Sequence, residues 1–175
     1  MKDIELRLVS ELMKNSRRSD RELAKAIGVS QPTVSRMISK LEKEGTIKEY
    51  TMVPDFARLG FNVMAVLFFG KQETMKEEER LALQEAAREL EKKTPQATIT
   101  VVNGIGLNKG RMIIVFYRDY SSYAENLKLI KNLPHADPGE IESFLVNLND
   151  ERNFRTLSMK EVAHHLKAYG NLREK

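Results

Sequence analysis

The sequence predicts an α+β protein with a helix-turn-helix (winged-helix-like) domain, a ferredoxin-like β-α-β-β-α-β sandwich and a C-terminal helix. Apolar residues recur at helical spacing over residues 3–43, where hydroxyl residues and glycines separate three short helices. From residue 61, apolar runs of strand length alternate with two amphipathic helical segments. The predicted divisions are 1–52 for the helix-turn-helix domain, 53–60 for a linker, 61–150 for the sandwich and 151–175 for a helical extension.

Three helices are predicted in the first domain, and their ends carry recognisable signals. They span Asp3–Lys14, about Asp20–Ile27 and residues 31 to about 43. Ser19, followed three residues later by Glu22, is a capping box that starts the second helix. Gly28 is a natural left-handed C-cap residue, and Ser30 caps the third helix with Pro32 in its first turn.

A short strand and a connector, broken by Pro54, are expected over residues 46–55 before the sandwich. The sandwich elements follow in the order strand, helix, strand, strand, helix, strand. They are expected at residues 61–70, 76–92, 97–103, 111–118, 120–133 and 140–148. The first of these strands is nearly all apolar, as expected of a strand that is covered on both faces. The glycines of "GIGLNKG" are expected to permit positive φ in a hairpin loop.

A last helix is expected at residues 157–170, where Ser158 and Glu161 repeat the capping pattern and Gly170 ends the helix. Two packing partners are compatible with its sequence: its own sandwich, or a partner subunit.

Composition limits the kinds of protein that this chain can be. The 175 residues are 41% hydrophobic and 31% charged, which suits a folded protein, and no apolar run reaches membrane-spanning length. There is no cysteine, so disulfides and thiolate chemistry are excluded. Residues 1–50 carry 11 Lys+Arg against 8 Asp+Glu, or +3 of the net charge of +4. A cytoplasmic protein with a basic first domain is expected.

The third helix has two chemically distinct faces when it is projected at about 100° per residue. Val34, Met37, Ile38 and Leu41 fall on the core side. The opposite side, called here the outer face of the third helix, consists of Pro32, Ser35, Arg36, Ser39, Lys40 and Lys43. It contains no acid and has several donors of the kinds that contact base edges and phosphates.

The preceding helix adds further cations. In a helix-turn-helix it lies across the DNA backbone, so the basic residues around it can hold phosphates. Those residues are Arg17, Arg18, Arg21 and Lys25. Double-stranded DNA is therefore the expected partner, although a plain helical hairpin with a basic surface would also produce these features. The full set of candidate DNA-contacting residues is Gln31, Thr33, Ser35, Arg36, Ser39, Lys40, Lys43, Arg17, Arg18, Arg21 and Lys25.

The segment "SRRSDRELAKAIGVSQPTVSRMISKLEKEGTIKEYTMVPDFARLGF" resembles the DNA-binding half of the leucine-responsive/asparagine-regulator (Lrp/AsnC, or feast/famine) transcription factors. The exit "EGTIKEYT" and the later Asp55, Leu59 and Gly60 match that family's transition into its first sandwich strand. The sequence match is specific only from the start of this segment through about Phe61. Beyond that point it rests on the order of elements, and the C-terminal extension departs from the family pattern.

The resemblance implies a homodimer, often assembled further, that binds (pseudo)palindromic DNA through paired recognition helices. It also implies a small-molecule effector, frequently an amino acid, near the loop between the second and third strands. That loop contains the candidate effector-binding residues Gly104, Ile105, Gly106, Leu107 and Asn108. Family members usually carry an aspartate here, whereas this loop has no acid nearby.

No residue pattern indicates catalysis, a metal site or a cofactor, so a non-enzymatic regulator is expected. His164 and His165 are adjacent on a helix and diverge, and His135 stands apart, so the histidines do not form a ligand set. Two alternatives remain on the same architecture. One is an enzyme similar to sirohaem decarboxylases, and the other is a small-molecule sensor that acts through protein contacts.

Overall fold

The computed structural model describes residues 2–70, 75–94, 97–150, 152 and 158–172. The chain forms two compact units, Met1–Val53 with Arg155–Lys175, and Pro54–Phe154. The predicted fold class is confirmed, because helix-turn-helix elements precede a four-stranded antiparallel sheet with helices. Among the helices that the structure describes, none is both long and apolar enough to cross a membrane.

The helix-turn-helix is built from α1 (Asp3–Lys14), α2 (Asp20–Ile27) and α3 (Gln31–Lys43), and these bounds match the predicted ones. Each helix buries its apolar stripe in one shared core. That core consists of Leu8, Leu12, Leu23, Ala24, Ile27, Val34 and Leu41. Because α2 and α3 each contribute to the core from one side only, their opposite sides remain at the surface.

The predicted capping interactions are present. The side chain of Ser19 accepts from the backbone N–H of Glu22, whose carboxylate accepts from the N–H of Ser19 at 2.8 Å. Gly28 ends α2 with φ +78°, a left-handed conformation in which a Cβ is costly. Ser30 caps α3 by accepting from the N–H of Thr33. These local bonds set the turn between α2 and α3.

The C-terminal helix α6 (Lys160–Leu172) packs against α1, which is neither of the partners expected from its sequence. Ala163 is completely buried, and its carbonyl oxygen accepts from the Oγ of Ser10 at 2.8 Å. Both residues are small, so the two helices can approach closely. The helix-turn-helix unit is therefore made from both ends of the chain.

The short strand expected within residues 46–55 is not formed; the described segment between α3 and the first strand of the sheet contains no strand. Instead, the backbone N–H groups of Thr46 and Ile47 both donate to the carbonyl of Leu41, and Ile47 packs on the helical core. The Tyr50 hydroxyl donates to Glu42 at 2.9 Å, and burial together with this carboxylate raises the pKa of Tyr50 to about 12. Bonds to α3 thus replace the pairing that a strand would need.

In the part of the second unit that the structure describes there are four strands and two α-helices, in the chain order β-α-β-β-α-β as predicted. The elements are β1 (Val63–Gly70), α4 (Glu77–Lys93), β2 (Ala97–Gly106), β3 (Lys109–Tyr117), α5 (Tyr120–Lys131) and β4 (Glu142–Asn147). A single 3₁₀ turn, Pro138–Glu140, precedes β4. The strands lie in the order β2-β3-β1-β4, and every neighbouring pair is antiparallel.

One face of the sheet is covered by α5. Ala65, Leu67, Val115 and Tyr117 are buried there together with Tyr123 of α5. Successive residues of a strand point to opposite faces, so these alternate positions define the covered face.

The other face is only partly covered by the residues that the structure describes, so the predicted covering of both faces of β1 is complete on one face alone. Directly paired residues share a face, and the register pairs Val66 with Ile114 on one side and with Phe144 on the other. Phe144 is 63% exposed. At one end of the face, the Phe56 ring stacks on Phe116 with centroids 4.0 Å apart. An apolar surface, called here the open sheet face, therefore remains at the surface. Its members are Met64, Val66, Phe68, Val102, Met112, Ile114 and Phe144.

The glycines of the β2–β3 hairpin do not have the role expected of them. Gly104 and Gly106 belong to β2, and neither has a positive φ. The turn residues are Leu107 and Asn108, with φ of 50° and 55°. Positive φ at both central residues is the geometry of a type I′ turn, which matches the twist of the two strands.

Candidate nucleic-acid interface

Helix α3 presents its polar side because its apolar side is anchored. Val34 and Leu41 are buried against α1 and α2, while Ser35, Arg36 and Ser39 are exposed. The surface of α3 forms an open depression of about 480 Å³, lined by Ser35, Arg36, Ser39, Lys40, Lys43 and Glu44. Five of these six residues belong to the predicted outer face. The sixth, Glu44, adds an acid at its C-terminal margin.

Arg36 has the geometry of a side chain available to a partner. Its Nε donates to the carbonyl oxygen of Pro32 at 3.3 Å, one turn earlier on the helix. No carboxylate among the described residues forms an ion pair with Arg36 or with Lys43. The donor pattern of Arg36 suits the O6 and N7 acceptors of guanine, and Lys43 suits a phosphate.

Lys40 lies on the same face but is bound to acids. Its Nζ is 2.6 Å from Glu5 Oε1 and 3.7 Å from Glu44 Oε1. Glu5 belongs to α1 and is 4% exposed, and its second oxygen accepts from the backbone N–H of Lys2 at 2.7 Å. The hydrogen bond from Lys40 lowers the pKa of Glu5, and the same bond raises the pKa of Lys40.

The first turn of α3 contributes in two ways. Gln31, the first residue of the helix, is exposed. Thr33 is half-buried, and its hydroxyl lies 2.8 Å from the hydroxyl of Ser30 in the cap. The Thr33 hydroxyl is therefore already used to start the helix, whereas the amide of Gln31 faces solvent.

The cations around α2 differ in their surroundings. Arg17, Arg21 and Lys25 are exposed, and no described carboxylate forms an ion pair with them. Arg18 is half-buried and forms an ion pair with Glu11. The structure thus leaves three of these four cations available as phosphate contacts.

The candidate effector residues form the exposed end of the β2–β3 hairpin. Ile105 is 98% exposed and Leu107 is 77% exposed. Next to the turn, the buried Lys109 places its Nζ 2.9 Å from Glu142 Oε1 and 3.3 Å from Glu140 Oε2. The hydrogen bond to Glu142 raises the pKa of Lys109. The loop itself contains no acid, but Glu140 of the 3₁₀ turn and Glu142 of β4 lie beside it. They are about 30 positions away in the chain, so the sequence spacing did not reveal them.

His135 belongs to the second unit, whereas His164 and His165 are neighbours on α6 in the first. His164 is exposed on α6, and His135 Nδ1 lies 3.9 Å from Glu79 Oε1 in the sandwich unit. Among the described residues, no three His, Cys, Asp or Glu side chains are placed to hold a metal ion.

Residues 1–48 match the family model described as winged helix-turn-helix DNA-binding. An uncharacterized HTH-type transcriptional regulator from Pyrococcus abyssi is 39% identical over 64 residues, covering 37% of this chain and 43% of that protein. LrpC, an HTH-type transcriptional regulator from Bacillus subtilis, is 41% identical over 64 residues, covering 37% of this chain and 44% of LrpC. The matched segments thus span less than half the length of these relatives.

The likeness in fold extends further than the likeness in sequence. The structure of Bacillus subtilis LrpC aligns with a TM-score of 0.66 at 22% identity, over 90% of this chain and 97% of that one. The transcriptional regulator NMB0573 from Neisseria meningitidis, solved as a complex with L-Met, aligns with a TM-score of 0.72 at 15% identity, over 93% and 99%. The predicted resemblance is confirmed by sequence in the first domain and by fold across both units.

Proposed function

We propose that this protein is a sequence-specific DNA-binding transcriptional regulator. Its residues 1–48 match the winged helix-turn-helix model, and its fold is that of Lrp/AsnC regulators. The observation that carries the proposal is the outer face of α3. Arg36 and Lys43 are exposed there without an ion-pair partner among the described residues, on a helix that is capped and anchored by its opposite side. Because the relatives above are named as regulators, we also propose that the protein is not an enzyme.

The proposed contacts divide by position on the domain. Gln31, Ser35 and Arg36 would lie nearest to base edges in the major groove, because the N-terminal part of a recognition helix enters that groove. Ser39 and Lys43 follow on the same face, towards the C-terminal end of the helix. The proposed phosphate contacts, which hold the domain in register, are Arg17, Arg21, Lys25 and Lys43. Arg18 and Lys40, which were predicted with them, are held in ion pairs with Glu11 and Glu5.

The protein is proposed to act as a homodimer that pairs through the open sheet face. Apolar side chains are contiguous on this face, and Phe144 and Val102 are 63% and 41% exposed. A patch of this kind marks an interaction surface in a folded protein. A two-fold dimer would also present two copies of α3, which suits a palindromic site.

An amino acid is proposed as the effector, bound beside the β2–β3 hairpin. The L-Met complex of NMB0573 supports the class of ligand. The position is supported by Lys109, which lies between Glu140 and Glu142 next to the turn. A zwitterion presents one carboxylate and one ammonium group, and this cluster contains partners for both.

Selection of bound fragments from random duplex DNA, with and without an amino-acid mixture, tests these proposals together. We expect a recurrent, approximately palindromic site, whose recovery changes when the effector is present. Failure to retain any DNA would overturn the proposal and favour a sensor that acts through protein contacts. A visible absorbance change on adding a tetrapyrrole would favour an enzyme instead.

A further inference from the structure

The two types of cation on the outer face of α3 differ in one respect. Arg36 and Lys43 have no carboxylate partner among the described residues, whereas Lys40 is within 4 Å of two carboxylates, on Glu5 and Glu44. The group formed by Lys40, Glu5 and Glu44 carries a net charge of −1. Near DNA, such a group repels phosphate, although the lysine alone would attract it.

The partner from α1 is built to hold Lys40. Glu5 is 4% exposed, and each of its oxygens has its own donor: Oε1 accepts from Lys40 at 2.6 Å and Oε2 accepts from the Lys2 N–H at 2.7 Å. The Lys40 side chain remains 47% exposed, so its charge could reach a phosphate if the carboxylate were absent. Glu5 therefore forms an ion pair with Lys40, a cation on the surface that is proposed to contact DNA.

We infer that Glu5 is a specificity-determining residue that withholds Lys40 from the DNA backbone. Phosphate contacts are the same for every sequence, so each added cation strengthens non-specific binding. By binding Lys40, Glu5 lowers the attraction to random DNA and leaves recognition to side chains such as Arg36. This inference rests on the proposed function, and it assigns to α1 a role that the outer face of α3 does not reveal by itself.

The substitution Glu5→Gln separates these effects. A carboxamide has one oxygen, so it can accept from Lys2 or from Lys40, and its NH₂ group meets the other donor unfavourably. Lys40 is released with little change in shape. We expect the slope of log K against log salt for mixed-sequence duplex DNA to steepen by about 0.9, the value for one added phosphate contact. When salt is lowered from about 200 to about 50 mM, the affinity of the variant should therefore rise about threefold to fourfold more than that of the unchanged protein.

Two other variants show whether Lys40 is responsible. In Glu5→Gln/Lys40→Gln the steepening should disappear, because the released cation is gone. The matched control is Glu89→Gln, which removes the same charge from a Lys–Glu pair of 2.6 Å on α4 in the other unit, and it should leave the slope unchanged. A steepening that persists in the double variant would overturn the inference, because Glu5 would then act by its own repulsion.

The outcomes also separate this inference from the proposed function. If the unchanged protein does not bind DNA with a salt-dependent affinity, the proposed function fails. If the unchanged protein binds but Glu5→Gln has the same slope, only the inference fails. Should Glu5→Gln not fold, as judged by its thermal transition, Lys40→Gln provides the second test. A lysine that Glu5 withholds makes no phosphate contact, so this variant should leave the slope unchanged. A slope that becomes shallower by about 0.9 would contradict the inference, because Lys40 would then contact a phosphate.

Discussion

The hydroxyl of Ser10 donates to the carbonyl oxygen of Ala163 at 2.8 Å, and this bond joins helices that are 153 residues apart in sequence. Both residues are buried, so the contact lies inside the helix-turn-helix unit and not at its edge. Helix α6 is thus part of the helix-turn-helix unit that the N-terminal helices begin. A change in α6 should therefore affect the stability of that domain.

Ala163→Leu should destabilise the protein by about 1–3 kcal/mol, because the added methylenes have no room between α1 and α6. Denaturant unfolding monitored by circular dichroism measures the change. His164→Leu introduces the same side chain at the adjacent, exposed position and should cost far less. Equal costs for the two variants would show that α6 does not pack on α1 through Ala163.

Gly28→Ala should cost about 1–2 kcal/mol, because φ is +78° at this residue and a Cβ is unfavourable in left-handed backbone. Thermal unfolding of the two variants provides the comparison. Gly104→Ala is the control, since Gly104 lies in β2 without a positive φ and an added Cβ would meet nothing within 4 Å. A Gly104→Ala variant as unstable as Gly28→Ala would contradict the assigned turn geometries.

Phe144→Lys should convert the proposed dimer to a monomer without unfolding it. Phe144 is 63% exposed on the open sheet face, so a charge there is tolerated by one chain but not in an apolar interface. Sedimentation equilibrium measures the association. Leu81→Lys makes the same kind of change at a residue of α4 that is 53% exposed, and it should remain dimeric. If both variants dimerise like the unchanged protein, the interface lies elsewhere.

Acid should destabilise the helix-turn-helix unit. The ammonium of Lys40 holds the pKa of Glu5 below its ordinary value of 4.5, and Lys14 and Arg18 do the same for Glu11. A lowered pKa in the folded state means that the stabilisation is complete above about pH 4.5 and is lost as pH falls below it. Melting temperatures between about pH 7 and pH 3 should show this loss. The fall in melting temperature between these pH values should be smaller in Glu11→Gln. An equal fall would show that the ionisation of Glu11 does not contribute to the acid sensitivity.

Arg36→Ala should weaken binding to a selected site by about 1–3 kcal/mol and relax the preference at one base pair. The reason is the loss of a donor pair directed at a base edge from the centre of the outer face. Fluorescence anisotropy with a selected duplex and with variants at each position measures both effects. Arg88→Ala, a change of an exposed arginine on α4, is the control. If the substitution weakens binding to the selected site and to random DNA equally, Arg36 contacts a phosphate and not a base.

Local interactions explain why the helices of the first domain were predictable. The capping box of Ser19 and Glu22, the left-handed Gly28 and the cap at Ser30 each depend on residues within four positions. The apolar periodicity of α3 likewise specifies which side is buried and which side is exposed. The bounds of α1, α2 and α3, and most of the outer face, therefore follow from short-range patterns.

The remaining features depend on contacts that a linear pattern does not contain. The Glu5–Lys40 pair spans 35 positions, and the Lys109–Glu140 pair spans 31. Both pairs change the charge of a predicted site. Glu5 neutralises Lys40 on the outer face of α3, and Glu140 brings an acid next to the β2–β3 hairpin. The hairpin differs for another reason. Glycine suggested the turn, but the strand register placed the positive φ values at Leu107 and Asn108.

The salt dependence of DNA affinity tests the central claim most directly, because binding through the cations of α2 and α3 must release counterions. We predict tighter binding to a selected site than to random duplex DNA. We also predict that log K falls linearly with log salt, with a slope of about −0.9 for each phosphate contacted. An affinity that does not change with salt, or that is equal for the selected and random duplexes, would contradict the account.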